Sequence, residues 1–320
     1  MSTGPLTPRP IIDVAAAVIR DESGRVLLSQ RPEGKHLAGL WEFPGGKREA
    51  GESVHGALVR ELEEELGIEV SASMPLLSLT HHYPEKSVRL LIRTVDDFRG
   101  TATGQEGQRV GWFEPSAART LPMPAADRPI IQLLSIDPRL VMLPEVAKSG
   151  SIEPLFDACQ DRLDAGFRLF CLRCGGLDDD QLKSLATRCS AMARQVDARW
   201  LIDGRPELAR ALGADGLHLP VERLADYHER PVESELMFAV SCRHDDDLEQ
   251  AARLHADFAC LSPRGLASAP DWHGFAASVA ASPLPLVALG VDLAELDRVR
   301  EMGAFGVAVS QAIAEETVPG

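Results

Sequence analysis

Apolar positions change their rhythm near residue 135, and the two parts of the chain predict two different folds. Before that point, strand-like runs surround one amphipathic helical stretch, and they cover residues 11–20, 25–31, 75–83, 87–95 and 109–113. A second, closing helix is predicted over residues 126–134. This pattern favours an α+β domain, in which helices pack on the faces of a mixed sheet.

After residue 135, apolar strand-like runs alternate with amphipathic helical runs eight times. The strand-like runs are RLVMLP, RLFCLRC, ARWLID, GLHLP, LMFAVSC, FACLSP, PLVALG and GVAVS. Helical runs follow them over residues 152–166, 179–195, 205–212, 221–229, 245–254, 272–281 and 292–302, with a last one near residue 320. Eight β-then-α units predict a closed parallel (β/α)₈ barrel of the TIM type. We therefore predict two domains, residues 1–135 and residues 136–320.

The helix predicted in the first half begins after Ser53 and ends before Gly67, and no proline interrupts it. Serine is a preferred N-cap residue, and glycine commonly ends a helix because it adopts the left-handed conformation at little cost. At 100° per residue one apolar stripe must face a core, and it consists of Val54, Leu58, Leu62 and Leu66.

Three carboxylates lie together on the flank of that stripe, at Glu61, Glu64 and Glu65, whereas Glu63 points to water. Like charges at this spacing repel by a few tenths of a kcal/mol per pair, and the penalty grows beside a buried face. A hard divalent cation, which prefers oxygen ligands, would relieve the repulsion. The alternative is a solvated acidic helix face. Arg60 lies one turn before Glu64.

The whole stretch is similar at every fixed position to the Nudix box. The matching residues are Gly46, Glu52, Arg60, Glu61, Leu62, Glu64, Glu65, Gly67 and Ile68. Further segments resemble MutT-type nucleotide sanitation enzymes in the same order along residues 11–134. They are Arg31, LWEFPGGK at residues 40–47, QEGQ at residues 105–108 and PAADRP at residues 124–129.

The resemblance implies a metal-dependent enzyme that converts a nucleoside triphosphate to a monophosphate and pyrophosphate. Its metal would be Mg²⁺, with Mn²⁺ as the alternative, held by Gly46, Glu61, Glu64, Glu65 and Glu106. One glutamate of the Glu64–Glu65 pair would accept a proton, and Glu52 would orient Arg60. The substrate contacts implied by the same resemblance are Arg31, His36, Phe43 and Asp127.

Asp127 stands where MutT itself has an asparagine that reads the oxidised purine. The predicted substrate is 8-oxo-dGTP, and the predicted role is sanitation of the nucleotide pool. A cap for the closing helix is the alternative role of Asp127. Two alternatives concern the whole domain: a Nudix hydrolase of another nucleoside diphosphate derivative, or a base-reading module like that of adenine DNA glycosylases. Such modules lack the full glutamate set, which is complete here.

The second half resembles thiamine phosphate synthase and TenI-like proteins over about residues 139–315. The similar segments are LIDGRPELARALGADGLHLP, which includes His218, PLVALG and GAFGVAVSQAI. Gly175 occupies the place of the family's pyrophosphate lysine, and Gly204 and Arg223 stand where the family has metal-binding aspartates. We therefore expect a barrel without synthase activity; a barrel that binds or makes a thiamine-related phosphate is the alternative. Its weak candidate anion site consists of Arg173, Gly290 and Ser310.

Charge and composition narrow the partners. The net charge of −15 divides into −3 for residues 1–135 and −12 for residues 136–320, with no basic stripe for duplex nucleic acid. We expect a small-molecule nucleotide substrate, and the sequence indicates no protein partner. It contains no run of 18 apolar residues and no apolar h-region at its start, so neither a membrane span nor a signal peptide is expected. The six cysteines all follow residue 158 and lack paired metal-type spacing, so buried thiols in the reducing cytoplasm are expected.

Overall fold

The computed structural model describes residues 11–35, 37–83, 86–144, 152–173, 175–263 and 270–310, with only the backbone at His82 and Ser310. The chain divides into two compact units, and the division falls between Leu134 and Ser135. Within the described residues, every helix is too short or too polar to cross a bilayer.

The first unit contains two small sheets and three helices among its described residues. The strands are β1 (Ile11–Ile19), β2 (Val26–Gln30), β3 (Trp41–Glu42), β4 (Gly45–Lys47), β5 (Glu69–His82), β6 (Ser87–Arg99) and β7 (Arg109–Phe113). The helices are α1 (Val54–Leu66), α2 (Pro115–Ala118) and α3 (Arg128–Leu133). The closing helix is thus two residues shorter at its start than predicted, because Ala126 and Asp127 lie in a turn.

The first sheet is mixed, as the sequence predicted, with strand order β4-β1-β6-β5 and with β1 parallel to β6. The other three strands form a separate sheet of order β3-β2-β7. Strands β5 and β6 are longer than their apolar runs. Irregular register between Val70 and Leu77 lets β5 continue along β6 despite the proline at position 75.

Helix α1 begins and ends where the sequence predicts. The Ser53 hydroxyl accepts from the backbone N–H of Gly56 at 2.9 Å, and Gly67 adopts a φ of 66°. Leu58, Leu62 and Leu66 are fully buried against strands β1 and β2. Each such leucine contributes about 2–5 kcal/mol relative to alanine. The helix is therefore firmly held, and its carboxylates are fixed with it.

The second unit is a closed barrel of eight parallel strands, which confirms the predicted fold class. The strands are β8 (Arg139–Met142), β9 (Leu169–Leu172), β10 (Arg199–Asp203), β11 (Gly216–Leu219), β12 (Met237–Cys242), β13 (Phe258–Leu261), β14 (Leu286–Leu289) and β15 (Gly306–Ser310). The helices are α4 (Glu153–Asp164), α5 (Asp179–Gln195), α6 (Pro206–Ala209), α7 (Asp245–Arg253), α8 (Trp272–Ala281) and α9 (Leu296–Glu301).

Two helical runs of the barrel are shorter or tighter than predicted. The run over residues 205–212 forms only the single turn of α6, which ends at Ala209. Turns follow it up to Gly213, which has a φ of 69°, and the N–H of Ala214 donates to the carbonyl of Ala209. The run over residues 221–229 is a 3₁₀ helix, Val221–Asp226. The last predicted helix lies outside the described residues.

Candidate active site

The Glu61 carboxylate lies directly against the backbone of strand β4. A Cβ atom placed on Gly46 would come within 2.2 Å of Glu61 Oε2, so a larger residue would displace the carboxylate. On the other side, Arg60 Nη1 donates to Glu61 Oε1 at 2.8 Å. The glutamate is thus held between a glycine backbone and a guanidinium group.

Arg60 ties the loop before α1 to the helix. Its Nε and Nη2 donate to the two oxygens of Glu52 at 2.9 and 3.1 Å, and Nη2 also donates to the carbonyl of Lys47 at 3.1 Å. The hydrogen bond from Arg60 lowers the pKa of Glu52 to about 2. This geometry supports an orienting role for Glu52. Glu64 lies 3.5 Å from Arg60 and is largely exposed.

Glu65 is a partly buried acid among other acids. Burial raises its pKa to about 7, and the charges of Glu42, Glu61 and Glu106 add to the shift, while a hydrogen bond from Gly45 N–H at 3.1 Å opposes it. A carboxylate in such surroundings needs a cation to remain ionised at neutral pH. The surroundings of Glu65 therefore fit a divalent metal ion, since the neighbouring acids Glu42, Glu61 and Glu106 offer hard oxygen atoms.

The loop that carries Glu106 is anchored to the end of α1. The Gln108 side chain donates to the carbonyl of Glu65 at 2.8 Å, and the backbone N–H of Gln105 donates to the same carbonyl at 2.9 Å. Lys35 Nζ bonds to Glu106 at 2.5 Å from the opposite side. The fourth predicted acid is thereby brought beside Glu65, although 41 residues separate them in sequence.

A cavity of about 450 Å³ joins the acidic end of the unit to an apolar pocket. The predicted site residues that line it are Arg31, Phe43, Gly46, Glu65, Glu106 and Asp127. The remaining predicted residues Glu52, Arg60, Glu61 and Glu64 are not part of the lining. Glu61 nevertheless lies against Gly46, and Gly46 does line the cavity. His36 lies outside the described residues.

Asp127 occupies the N-cap position of α3, but its side chain makes no capping hydrogen bond. Instead, its Oδ1 accepts from the backbone N–H of Phe43 at 3.3 Å, in the cavity wall. The carboxyl group is buried, which raises its pKa to about 7, and the negative charge of Glu42 acts in the same direction. The geometry therefore argues against the capping role. At neutral pH the Asp127 carboxyl group beside Phe43 is close to half protonated.

Several residues of the cavity were not singled out from sequence. Glu42 accepts a hydrogen bond from Arg31, and burial raises its pKa. Lys35, Tyr83 and Lys86 also line the cavity. The only sequence signal for Glu42 is its place within LWEFPGGK, next to Phe43; the other three carry no motif.

In the barrel, the three residues of the weak anion site do not form one described cluster. Arg173 Nε lies 4.0 Å from Asp203 Oδ2, and the N–H of Gly290 donates to the Ala308 carbonyl at 2.9 Å. The side chain of Ser310 is not described. The Arg223 guanidinium contacts the carbonyl of Gly204. These are the two positions where the resemblance places metal-binding aspartates, and here they are joined by the arginine itself.

Comparisons with known proteins agree with both resemblances. Residues 15–133 match the family described as NUDIX domain, and residues 144–313 match the family described as thiamine monophosphate synthase. The CTP pyrophosphohydrolase of Escherichia coli K12 is 42% identical over 122 residues, which are 38% of this chain and 90% of that protein. The 8-oxo-dGTP diphosphatase of Haemophilus influenzae is 40% identical over 126 residues, 39% of this chain and 93% of that protein.

The second unit has a relative of its own. The putative thiamine-phosphate synthase 2 of Aquifex aeolicus is 30% identical over 126 residues, 39% of this chain and 67% of that protein. Taken with the mixed sheet of the first unit and the closed barrel of the second, these matches confirm the predicted families. The chain belongs to the NUDIX domain family, where it resembles MutT-type hydrolases, and also to the thiamine monophosphate synthase family.

Proposed function

We propose that the first unit hydrolyses a nucleoside triphosphate to a nucleoside monophosphate and pyrophosphate. The observation that carries the proposal is a cavity lined by glutamates as well as by Phe43 and Asp127. A nucleotide needs both kinds of surroundings: its polyphosphate needs cations, and its base needs an apolar wall with a few polar contacts.

The residues that would hold a divalent metal are Gly46, Glu61, Glu64, Glu65 and Glu106. A bound Mg²⁺ ion would neutralise phosphate charge and lower the pKa of a coordinated water. The protein's own groups position the phosphates, through Arg31 and Lys35, and one glutamate of the Glu64–Glu65 pair accepts a proton from the attacking water. Arg60 and Glu52 hold Glu61 in place. Mn²⁺ would suit the same oxygen ligands.

We propose 8-oxo-dGTP as the substrate, because of the hydrogen-bonding pattern that a protonated Asp127 presents. An 8-oxo-purine offers an N7–H donor next to the O6 acceptor. A neutral carboxyl group offers an acceptor next to a donor, so it pairs with both atoms. Guanine offers two acceptors at these positions, N7 and O6, and therefore leaves one of them unpaired, which costs about 1–3 kcal/mol.

CTP is a second candidate, because the same observation favours it. Cytosine presents the N4 amino donor next to the N3 acceptor, so a neutral Asp127 pairs with it as it does with an 8-oxo-purine. Aspartate also commonly accepts from cytosine N4. In addition, a 42% identical relative is named CTP pyrophosphohydrolase. The two candidates differ in the size of the base, which the Phe43 side of the pocket must accommodate.

A hydrolysis panel on the intact chain tests these proposals. The panel contains 8-oxo-dGTP, dGTP, CTP, dCTP and a nucleotide sugar, each with Mg²⁺ and with EDTA. We expect pyrophosphate release from 8-oxo-dGTP at the highest kcat/KM, and none with EDTA. A higher kcat/KM for CTP would replace the first candidate with the second. Release of a sugar phosphate from the nucleotide sugar, or turnover of any substrate in EDTA, would contradict the proposed reaction itself.

We also propose that the barrel lacks thiamine phosphate synthase activity. Support comes from Gly175 in place of a lysine and from Arg223, whose guanidinium contacts the Gly204 carbonyl where two carboxylates would be needed. A pyrophosphate without its metal and lysine is a poorly compensated anion. The intact chain should therefore fail to restore growth without thiamine in a strain that lacks the synthase. Growth of that strain would establish the alternative, bifunctional protein.

A further inference from the structure

A compact polar cluster lies near the carboxyl ends of four consecutive barrel strands. It consists of Cys171 on β9, Asp203 on β10, His218 on β11 and Ser241 on β12. The carboxyl ends of the strands form the face where (β/α)₈ barrels carry their sites. None of these four residues belongs to the positions whose replacement argues against synthase chemistry, namely Gly175, Gly204 and Arg223.

Three of these side chains bring potential metal ligands together. One atom each of Cys171, Asp203 and His218 lies within 4.8 Å of the other two. His218 Nδ1 is 2.7 Å from Asp203 Oδ1, and strand pairing places these two residues side by side. Cys171 and His218 are buried, whereas the Asp203 side chain is 17% exposed. The cluster is therefore enclosed on most sides but open at the carboxylate.

We propose that Cys171, Asp203 and His218 form a binding site for a divalent transition metal ion, with Zn²⁺ as the best match. A thiolate and an imidazole favour Zn²⁺ over the hard ions Mg²⁺ and Ca²⁺, which require oxygen ligands. The negative charges of the thiolate and the carboxylate balance the charge of the ion, so the loaded cluster is neutral in its buried surroundings. Three protein ligands leave the fourth tetrahedral position open, as in catalytic zinc sites.

Small side-chain rotations suffice to close the site. Bond lengths of about 2.0–2.3 Å place tetrahedral ligand atoms roughly 3.3–3.6 Å apart, so each atom must move by about 1 Å. The ion would take the place of the proton between His218 and Asp203, which would move from Nδ1 to Nε2 of the same ring, and the cysteine would lose its thiol proton to solvent. His218 Nε2 lies 2.9 Å from Ser241 Oγ, so Nε2–H would donate to that hydroxyl and fix the ring with Nδ1 towards the ion.

The environment of the open position indicates the class of ligand that would bind there. Arg173 Nε lies 4.0 Å from Asp203 Oδ2, on the exposed side of the carboxylate. A guanidinium beside a Lewis-acidic ion favours an anionic ligand such as a carboxylate or a phosphate. The competing account is an Asp203–His218–Ser241 hydrogen-bond chain without metal. In that account the Cys171 thiol has no role.

Cobalt substitution tests the proposal in the intact, metal-free chain. Co²⁺ bound by a thiolate gives a charge-transfer absorption in the near ultraviolet, which carboxylate ligands do not give. All six cysteines follow residue 158, so the glutamates of the first unit cannot contribute to this signal. With Mg²⁺ in excess to occupy those glutamates, we expect the band to saturate at one equivalent and Zn²⁺ to abolish it by displacement. Absence of the band would overturn the proposal.

Variants assign the signal to the cluster. Cys171→Ser should abolish the band, and His218→Gln and Asp203→Asn should each weaken Co²⁺ binding at least tenfold. Cys260→Ser is the matched control, because Cys260 is an equally buried thiol on β13 and should leave the band unchanged. Melting temperatures of the metal-free variants check folding. Asp203→Asn should fold, because its amide oxygen still offers His218 a hydrogen-bond acceptor. A band that survives in folded Cys171→Ser would contradict the site.

Discussion

At the residue scale, Asp127 is the group that we propose recognises the base. The aspartate could have capped α3, yet its carboxyl group turns away from that helix and accepts from Phe43 N–H. A single backbone donor does not compensate a buried negative charge, and burial accordingly raises the pKa of the group to about 7. Near neutral pH the Asp127 carboxyl group is thus partly protonated and partly ionised. Only the protonated form matches a base that presents a donor next to an acceptor.

The preference for 8-oxo-dGTP over dGTP should therefore depend on pH. Because the protonated fraction of Asp127 falls as pH rises through about 7, the ratio of the two kcat/KM values should fall over the same range. Asp127→Asn, whose amide offers an acceptor next to a donor at every pH, should keep the preference and flatten its pH dependence. Asp127→Ala should lose about 1–3 kcal/mol of discrimination. Unchanged discrimination with a lower melting temperature would instead favour a structural role.

The glutamates of α1 should separate catalysis from stability. Glu64→Gln and Glu65→Gln should each lower kcat by at least about 100-fold, because each would remove one of the proposed negative oxygen ligands of the metal. Neither should lower the melting temperature in EDTA, since Glu64 is largely exposed and burial disfavours the charge of Glu65. Glu63→Gln is the matched control: Glu63 is exposed on the same helix and should leave kcat unchanged. Full turnover in either test variant would contradict the assignment.

At the scale of elements, the close approach of β4 to α1 sets the position of Glu61. Gly46→Ala should lower kcat by at least about tenfold, because its Cβ would come within 2.2 Å of Glu61 Oε2 and displace the carboxylate. The melting temperature should change little, since all three of the closest atoms belong to the flexible end of the Glu61 side chain. Steady-state kinetics and thermal melts check both parts. An active Gly46→Ala variant would show that the contact is not needed for turnover.

Elements whose signals are local were predictable from the sequence. The ends of α1 followed from Ser53 and Gly67 and its buried face from leucine spacing, and the barrel followed from repeated buried strands. The separation of the first unit into two sheets was not predicted, and the proximity of Asp127 to Phe43 was expected only from the resemblance, which assigns both residues to the substrate pocket. That contact joins residues 84 positions apart, and no local preference encodes such a pairing. The short α6 was also missed: Gly213 directly follows the predicted run, but the residues after Ala209 form turns rather than helix.

At the scale of the whole molecule, long-range pairing also explains why the polar cluster of the barrel escaped the sequence. Cys171, Asp203 and His218 lie on three different strands, and their spacing matches no common metal motif. Only the parallel register of β9, β10 and β11 brings them together. The barrel thus keeps the architecture of its family while its mouth carries another set of side chains, which suits an inherited scaffold with altered chemistry.

The two units should be separable in function. Every residue that lines the nucleotide cavity lies between Ile12 and Asp127, and the compact first unit ends at Leu134. A domain with its own core folds alone, so residues 1–135 should keep kcat within about twofold of the intact chain. The measurement compares 8-oxo-dGTP hydrolysis by the fragment and the intact chain at equal concentration, with circular dichroism melts as the folding control. A folded but inactive fragment would mean that the barrel contributes to hydrolysis, and the proposal that the first unit acts by itself would fail.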